Sequence, residues 1–343
     1  MSPEHQQIAS EARTIDLCAR ALADASIDEP NFRPAPQPLA AGFVCPADKN
    51  ILIQQGDRLT CTDCKRQFPI VRGIPVLIND SASVFRVSDY QTQDAYQGAS
   101  GYGGTLDTST GLRKAYHRFA RRLNYAPMPG GDFDFLSPIL AENPQAKVLV
   151  IGAGERQYSC DATYTDVAFA RNISCICDSH DIPYPDQSFD AVIADSVLEH
   201  VCDPQRCVAE YTRVLKPGGF VYAITPFLQP GHLGAYDFTR FTHLGHRRLF
   251  RQFDEVASGR CGGPVYAAIH LFREQLLCLT DRHHLQSLLR LFGLLVTYPL
   301  RHLDPLFSRT AQSYNSGCAF YFLGRKRETP IADREIIKQF RGR

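Results

Sequence analysis

The sequence predicts an α/β fold built on a doubly wound parallel sheet, and two observations support this prediction. Four apolar residues of strand character, 148–151, run directly into a loop that contains Gly152 and Gly154. Asp166 and Asp178 each end a further strand-like segment. Ligands of open α/β sheets bind at the carboxyl ends of the strands, so glycines and carboxylates at these positions predict a binding site. A glycine pair of this spacing suits phosphate-binding dehydrogenases as well as cofactors without a phosphate.

The residues after the first strand argue against a dinucleotide. A dinucleotide-binding loop has a third glycine where this chain has Gln157, so the close approach of a helix to a pyrophosphate is poorly supported. A carboxylate at a strand end suits a ribose, because two hydroxyls can donate to it, and a second acidic or amide group suits an adenine edge. The pattern therefore favours a cofactor that needs no phosphate contact.

Four later segments extend this pattern, and their order and spacing are specific. They are 178–183 (DSHDIP), 189–192 (FDAV), 197–201 (VLEHV) and 213–219 (RVLKPGG). Together with the glycine loop they resemble the class I S-adenosylmethionine-dependent methyltransferases with a type 11-like core. The resemblance covers roughly residues 146–250, and residues 318–325 are similar to the late antiparallel strand of such domains. It implies a seven-stranded doubly wound sheet and S-adenosyl-L-methionine as the methyl donor.

The resemblance also implies a set of cofactor-binding residues. Gly152 and Gly154 would let the backbone approach the methionine part, and Asp166 would hold the ribose. Only eleven residues separate Gly154 from Asp166, where most of the family has a full helix, so Asp161 is a second candidate for the ribose. The adenine and the wall facing the methyl group would be contacted by Asp178, Ser179, Asp195 and Ser196. Glu199 and His200 are predicted to start the next helix, where capping and packing explain them at least as well as catalysis.

The acceptor side is predicted from the loop after the fifth strand. A subgroup of the family has a similar P-F-x-x-x-x-H segment, which here ends at His232, followed by D-[FY]-x-R, which here spans Asp237 and Arg240. A histidine has an intrinsic pKa suited to accepting a proton from a hydroxyl or amine, so His232 is the candidate catalytic base. Asp237 and Arg240 are candidate substrate-binding residues, and a structural ion pair that orders the loop is the alternative.

A second motif precedes the glycine loop and suggests a metal site. Cys45, Asp48, Cys61 and Cys64 have the spacing of two turns that each present ligands to one tetrahedral ion. With the segment 68–78 they resemble the zinc-ribbon domain that activates methyltransferases as a separate subunit, although Asp48 stands where a complete ribbon has a cysteine. Two interpretations stay open: a structural zinc ion with three cysteines and one aspartate, or a ribbon that has lost its ion and is held by apolar residues.

The domain organisation follows from changes in composition along 343 residues, which exceed one typical domain. We predict an N-terminal helix and Pro-rich connector (1–40), a degenerate zinc-ribbon-like module (41–79) and a linker or lid (80–110). The methyltransferase domain would span 111–330, and 331–343 would be a charged tail. A helix over 111–125 carries several arginines, which indicate a solvated face or a contact with an anionic acceptor.

Charge and targeting signals limit the partners and the location. A formal net charge of +1 argues against extensive nucleic-acid binding and favours a small-molecule or glycan acceptor. The first residues lack a secretory signal, and the apolar stretch 285–303 is interrupted by arginines and too short to span a bilayer. The sequence thus predicts a cytoplasmic methyltransferase that is not membrane-spanning and leaves its oligomeric state open. The alternatives are an RNA or ribosomal-protein methyltransferase docked through the ribbon, or a non-catalytic cofactor-binding scaffold.

Overall fold

The structure is a computed structural model, and it describes residues 42–91, 133–154, 156–170 and 172–343. The predicted N-terminal helix and connector, residues 92–110 of the predicted linker and the basic helix over 111–125 lie outside the described residues. The strands are β1 (Leu52–Gln55), β2 (Arg58–Cys61), β3 (Gln67–Val71), β4 (Ile74–Leu77), β5 (Val148–Ile151), β6 (Ala162–Asp166), β7 (Ile173–Cys177), β8 (Phe189–Asp195), β9 (Leu215–Pro226), β10 (Phe253–Cys261) and β11 (Ala319–Lys326).

The described strands form one sheet in the order β1-β2-β3-β4-β7-β6-β5-β8-β9-β11-β10. Strands β5 to β9 pair in parallel, whereas β11 is antiparallel to both β9 and β10. β5 lies at the centre and is buried along its whole length, because all four of its residues are apolar and both faces of the sheet are covered. The carboxyl ends of β5, β6, β7 and β8 therefore meet at one edge.

The sheet has eleven strands, where the sequence predicted seven with a separate small β module. The difference arises because β4, the last strand of the module, pairs in parallel with β7, with Val76 opposite Ile176 and Leu77 opposite Cys177. β1 to β4 form an antiparallel meander that continues the edge of the parallel sheet. β4 is buried at all four positions, so pairing on β7 satisfies a strand edge that would otherwise be open.

The helices are α1 (Leu136–Glu142), α2 (Pro204–Val214), α3 (His243–Leu249), α4 (Pro264–Leu277), α5 (His283–Thr297), α6 (Asp304–Phe307) and α7 (Asp333–Ile337). The Asp203 side chain accepts a hydrogen bond from the Arg206 N–H and caps the N-terminus of α2, and Pro204 is its first residue. The prediction that Glu199 and His200 start this helix is therefore wrong. Both residues lie in the loop between β8 and α2.

Helices α4 and α5 form a hairpin with an unusual surface. Only Gly293, Leu294 and Thr297 are buried in α5, although the helix is largely apolar. Among the described residues, no helix has both the length and the apolar character required to cross a bilayer. The hairpin lies beyond β10, whose end at Cys261 leads through Gly262 and Gly263 into α4.

Candidate active site

A cavity opens at the carboxyl ends of the central parallel strands. Gly152, Asp166, Asp178 and Ser179, which the sequence predicted as cofactor-binding residues, line it together. Val84, Phe85, His180, Val197 and His200 are among the other lining residues. Val84 and Phe85 belong to the segment that the sequence predicted as a linker or lid. The fold thus brings residues from five separate segments of the chain to one hollow.

The glycine loop after β5 needs glycine at both positions, for different reasons. Gly152 has a φ of +59°, and a Cβ there would lie 2.6 Å from a methyl carbon of Val197. Gly154 has a φ of +55° with no atom within 4 Å of an added Cβ, so its requirement is the backbone conformation alone. The loop therefore leaves bare backbone beside the cavity at Gly152, while Gly154 is not among the lining residues.

Asp166, at the end of β6, is buried and fixed by backbone groups. Its Oδ2 accepts a hydrogen bond from the Gly154 N–H at 2.8 Å, and its Oδ1 accepts one from the Ala168 N–H at 2.9 Å. Burial raises the pKa of Asp166, although these N–H groups oppose the shift. The carboxylate lines the cavity, and a carboxylate is an acceptor that suits the two hydroxyls of a ribose. Asp161, the second candidate, is exposed and does not line the cavity.

Asp178, at the end of β7, is held by three donors. The His180 backbone N–H and Nδ1 both contact its Oδ1, at 3.0 and 2.5 Å, and the Ser83 hydroxyl donates to its Oδ2. Because the Asp203 N–H donates to His180 Nε2, the ring proton lies on Nδ1 and points to the carboxylate. Burial acts to raise the pKa of Asp178, but the His180 contacts outweigh it and lower that pKa. Sequence reasoning missed His180 and Ser83, although the D-x-H spacing was visible.

Three other predicted cofactor-binding residues do not present a free polar group to the cavity or do not line it. Ser179 lines the cavity, but its hydroxyl donates to the Cys207 sulfur at 3.0 Å. Asp195 and Ser196 do not line the cavity. Asp195 forms an ion pair with Arg156 at 3.3 Å and accepts a hydrogen bond from the Ser196 hydroxyl at 3.0 Å. Ser196 has a φ of +59°, which marks the sharp turn out of β8.

The loop after β9 is ordered by the pair that the sequence identified. Arg240 donates two hydrogen bonds to the Asp237 carboxylate and others to the carbonyl oxygens of Gln229 and Pro230. The Asp237 Oδ2 also accepts the His232 backbone N–H at 2.5 Å. Burial acts to raise the pKa of Asp237, and the hydrogen bonds from Arg240 outweigh it, so that this pKa is lowered. The pair therefore has the geometry of an internal clamp on the loop.

His232 lies beside a buried acid that sequence reasoning did not assign to the site. Its Nε2 is 3.8 Å from Glu199 Oε1, and its Nδ1 is 3.4 Å from Arg240 Nη2. His200 Nε2 is 3.7 Å from the same Glu199 oxygen. We call Glu199, His200 and His232 the histidine cluster. Only the V-L-E-H segment signalled it, since His232 comes from a loop more than thirty positions later in the numbering.

A second group of possible ligands lies in the β1–β4 module. The ligand atoms of Cys45, Asp48, Cys61 and Cys64, here called the cysteine cluster, all lie within 4.8 Å of one another. The Cys45 and Cys64 sulfurs are 3.7 Å apart, and the Cys61 sulfur is 3.4 Å from Asp48 Oδ1. The fold thus brings together all four residues that the sequence spacing predicted as metal ligands. Three sulfurs and one oxygen form a donor set that suits zinc.

Comparison with known proteins finds methyltransferases that are similar to part of this chain. Residues 145–223 match the family model described as "Methyltransferase domain". "Probable tRNA methyltransferase 9B" of Mus musculus is 34% identical over 94 residues, which cover 23% of this chain and 21% of that protein. The "Ubiquinone/menaquinone biosynthesis C-methyltransferase UbiE" of Geotalea daltonii is 30% identical over 149 residues, covering 40% of this chain and 60% of that protein. Residues 145–223 are therefore similar to a methyltransferase domain, which agrees with the resemblance seen in the sequence.

Solved structures add only a distant similarity. The phosphoethanolamine N-methyltransferase 2 of Haemonchus contortus, in complex with S-adenosyl-L-methionine, aligns with 64% of this chain and 61% of its own, at 15% identity and a TM-score of 0.37. The chain spans about a fifth of the length of the first curated relatives that it matches. The similarity therefore extends over only a part of each protein.

One prediction from the sequence is contradicted by these relatives. We expected a small-molecule or glycan acceptor without extensive nucleic-acid contact, whereas the matched mouse, human and bovine proteins are named as tRNA methyltransferases. The expectation rested on the net charge, which is a sum over the whole chain. A near-neutral sum is compatible with a local basic surface, and a local surface is what nucleic-acid binding requires.

Proposed function

We propose that the chain transfers a methyl group from S-adenosyl-L-methionine to an RNA acceptor of the tRNA class. Binding of the methyl donor is supported by the cavity at the carboxyl ends of the parallel strands. Gly152, which has no side chain, lines this cavity together with Asp166 and Asp178. The acceptor class is supported by the names of the curated relatives.

The cavity residues fit this donor. When bound, S-adenosyl-L-methionine supplies a methyl group that is already activated by its sulfonium. Asp166 would accept hydrogen bonds from the ribose hydroxyls, and Gly152 would let the methionine part approach the backbone. Asp178, fixed by His180 and Ser83, would present a rigid acidic edge to the adenine. The protein then has to align the acceptor and exclude water, and rigid positioning of this kind accounts for much of the rate in such reactions.

His232 is proposed as the catalytic residue on the acceptor side. It is about one-third exposed, whereas the Glu199 side chain beside it is almost fully buried. Asp237 and Arg240 would hold the loop that presents His232, so substitution of either is expected to act through the loop. His232→Ala should lower kcat by roughly 100-fold, a typical contribution of proton-transfer groups, with little change in donor affinity.

The β1–β4 module is proposed to dock the RNA. Arg58, Lys65 and Arg72 are exposed on it. Reversing these three charges to glutamate should weaken binding of tRNA and reduce the salt dependence of that binding, because each phosphate contact releases counterions. We further propose that the cysteine cluster holds a structural zinc ion, since three cysteines and a carboxylate in a closed set leave no position for a substrate.

Donor binding is tested by calorimetry with S-adenosyl-L-methionine and its demethylated product. Asp166→Asn should weaken binding roughly 10- to 100-fold, because hydrogen bonds to a charged group contribute about 1.5–3 kcal/mol. Asp161→Asn is the matched control, as this aspartate is exposed near the same loop, and it should leave the affinity unchanged. The opposite ranking would transfer the ribose role to Asp161.

Methyl transfer is tested with a radiolabelled methyl donor and bulk tRNA. Incorporation that disappears in Asp166→Asn supports the proposal. Donor binding without incorporation into tRNA, in the presence of the full chain, would reject the RNA acceptor while keeping the donor site. Donor binding without product on any acceptor would favour a cofactor-binding scaffold.

A further inference from the structure

The histidine cluster contains a buried acid that lacks a counterpart. Glu199 is 0% exposed, and neither oxygen of its carboxylate has a hydrogen-bond partner from another residue in the described parts of the chain. A buried polar group without a partner costs roughly 1–3 kcal/mol, and more when it is charged. An explanation is therefore needed for an acid at this position, next to the donor cavity.

The distances within the cluster are those of ligands around a shared ion. Glu199 Oε1 lies 3.7 Å from His200 Nε2 and 3.8 Å from His232 Nε2, which is too long for hydrogen bonds. Two atoms that each bind a tetrahedral zinc ion at about 2.0–2.1 Å lie roughly 3.3 Å apart. A shift of a few tenths of an ångström in the side chains would bring both histidine nitrogens to that distance from Glu199 Oε1.

The orientation of His200 supports a ligand role. Its Nδ1 is 2.8 Å from the carbonyl oxygen of Tyr236, and a carbonyl can only accept, so the ring proton lies on Nδ1. The lone pair of Nε2 then points toward Glu199. Metal-binding histidines almost always donate their other N–H to a carbonyl or carboxylate, which fixes the tautomer that the metal needs. The backbone carbonyl of Glu199 itself accepts the Phe238 N–H, which ties the Tyr236 segment to the same turn.

The cluster is also open on one side. His200 lines the donor cavity, and the side chain of His232 is 36% exposed, so an ion held here would face both the cavity and the acceptor loop. Two histidines and one glutamate, with a free coordination position, form the donor set of catalytic zinc sites and of other divalent transition metals. The cysteine cluster differs, because its four ligands close the coordination sphere.

We propose that Glu199, His200 and His232 form a binding site for one divalent transition-metal ion of the zinc type beside the methyl-donor cavity. The binding site stands on the cluster geometry alone, and only its use in catalysis rests on the proposed function. In the metal-loaded protein His232 acts through the ion that it holds, and the proton-transfer role proposed above applies to the metal-free protein. The ion supplies a positive charge in contact with the buried Glu199 carboxylate.

The test is metal binding by the full chain, measured with Zn²⁺ by equilibrium dialysis and elemental analysis after complete metal removal. The wild type should bind one more equivalent than Glu199→Gln and His232→Asn, which keep the side-chain size and lose the ligand. His284→Asn replaces a histidine exposed on α5 and should bind as the wild type does. Binding of S-adenosyl-L-methionine, followed by calorimetry, should stay within about twofold in all three variants and shows that they are folded.

Two results would overturn the proposal. Equal zinc content in the wild type, Glu199→Gln and His232→Asn would show that the cluster holds no ion. Loss of zinc that is matched in His284→Asn would show nonspecific binding to histidines. Co²⁺ in place of zinc distinguishes the two clusters, because only the cysteine cluster gives thiolate charge-transfer absorption. Loss of that absorption in Glu199→Gln would also count against a separate site at the histidine cluster. Zinc binding is measured without tRNA, so these results can be interpreted even if the chain does not methylate tRNA. The metal site and the RNA acceptor can therefore be rejected separately.

Discussion

The cysteine cluster and the histidine cluster bring possible metal ligands together in opposite ways. The cysteine cluster is built from two short turns of a small β meander, Cys45 to Asp48 and Cys61 to Cys64. The histidine cluster joins the turn after β8 to the loop after β9, both of which leave the carboxyl edge of a fully formed parallel sheet. In the first case four ligands close around a point, and in the second three ligands leave one side open.

The binding free energy of an ion would have different consequences in the two clusters. A closed site in a small module contributes to folding, because the ligands converge only when the module is folded. In an open site on a rigid sheet, the buried residues around the ligands hold them in place without the ion. The ion then keeps an open coordination position for a substrate or a water molecule. We therefore expect metal loss to unfold or loosen the module, and to leave the sheet around Glu199 intact.

The largest effect should follow Cys61→Ser. Cys61 is fully buried and its sulfur contacts Asp48, so its loss would remove a ligand from the centre of the module. Loss of zinc from a structural site costs several kcal/mol, and for a domain of this size we expect the Tm to fall by roughly 10 °C. Differential scanning calorimetry of the zinc-loaded proteins measures this.

Glu199→Gln is the matched comparison, since it removes one ligand from the other cluster. In the metal-free state its Tm should stay within about 2 °C of the metal-free wild type or rise, because a buried acid without a partner has been replaced by a neutral amide. If Cys61→Ser lost no stability, the module would be held by apolar residues such as Leu59 and Phe68, and the structural zinc ion would be rejected.

We expect the loss of folding stability at acidic pH to arise from a buried histidine outside both clusters. His246, on α3, packs against Phe250 and is 2% exposed, and burial lowers its pKa to about 3. A histidine whose folded pKa is depressed contributes stability above its unfolded pKa of about 6.5, and this is lost as the pH falls from there toward 3. At pH 4.5 the loss is roughly 3 kcal/mol.

His246→Phe should therefore flatten the dependence of the free energy of unfolding on pH between 7.5 and 4.5, measured by urea denaturation. The neighbouring His243, with a pKa lowered to about 4 mainly by burial, would supply the remaining slope. His284→Phe, on the exposed surface of α5, should leave the profile as it is. An unchanged slope in His246→Phe would contradict the assignment.

Much of this fold could be predicted from the sequence, because local patterns determine it. Four apolar residues before Gly152 produced the buried central strand, and Asp166 and Asp178 lie at the ends of β6 and β7 as expected. The cysteine spacing predicted a convergence that the structure contains. These features depend on residues near each other in the chain, where strand length and turn chemistry are decisive.

The rest depends on contacts between distant segments. Nothing local in residues 74–77 shows that β4 would pair with β7, about a hundred positions away. Glu199 looked like a residue at a helix start, and only the folded loop places it between His200 and His232. Likewise Ser83, in a segment predicted as a linker or lid, fixes the Asp178 carboxylate. Tertiary pairing of this kind has no periodic signal in one sequence.

A third prediction tests whether the module supports the donor cavity. Asn79 is the second residue after β4, and its side chain donates to Asp181 at 2.9 Å and accepts from Arg66 at 2.6 Å. Asn79→Ala would leave the buried Asp181 oxygen with fewer donors, at a cost of about 1–3 kcal/mol. Because Asp181 lies in the same turn as Asp178, we expect roughly fivefold weaker binding of S-adenosyl-L-methionine by calorimetry. Gln54→Ala, at an exposed position on β1 outside this network, is the control. Equal affinities in both variants would show that the module and the cavity are uncoupled.

The smallest effect should come from the ion pair that joins Lys49, the residue after the ligand Asp48, to α2. Lys49 Nζ lies 3.0 Å from Glu210 Oε2 and also donates to the Pro46 carbonyl. Lys49→Met should nevertheless cost only about 0.5–1 kcal/mol, because partly exposed ion pairs contribute little and Glu210 keeps both its Arg213 contacts. Urea denaturation at low and high salt measures the change, which should shrink as salt rises. Arg213→Met, which removes the stronger partner, should cost clearly more; a larger loss in Lys49→Met would mean that the module depends on this ion pair instead of its metal ligands.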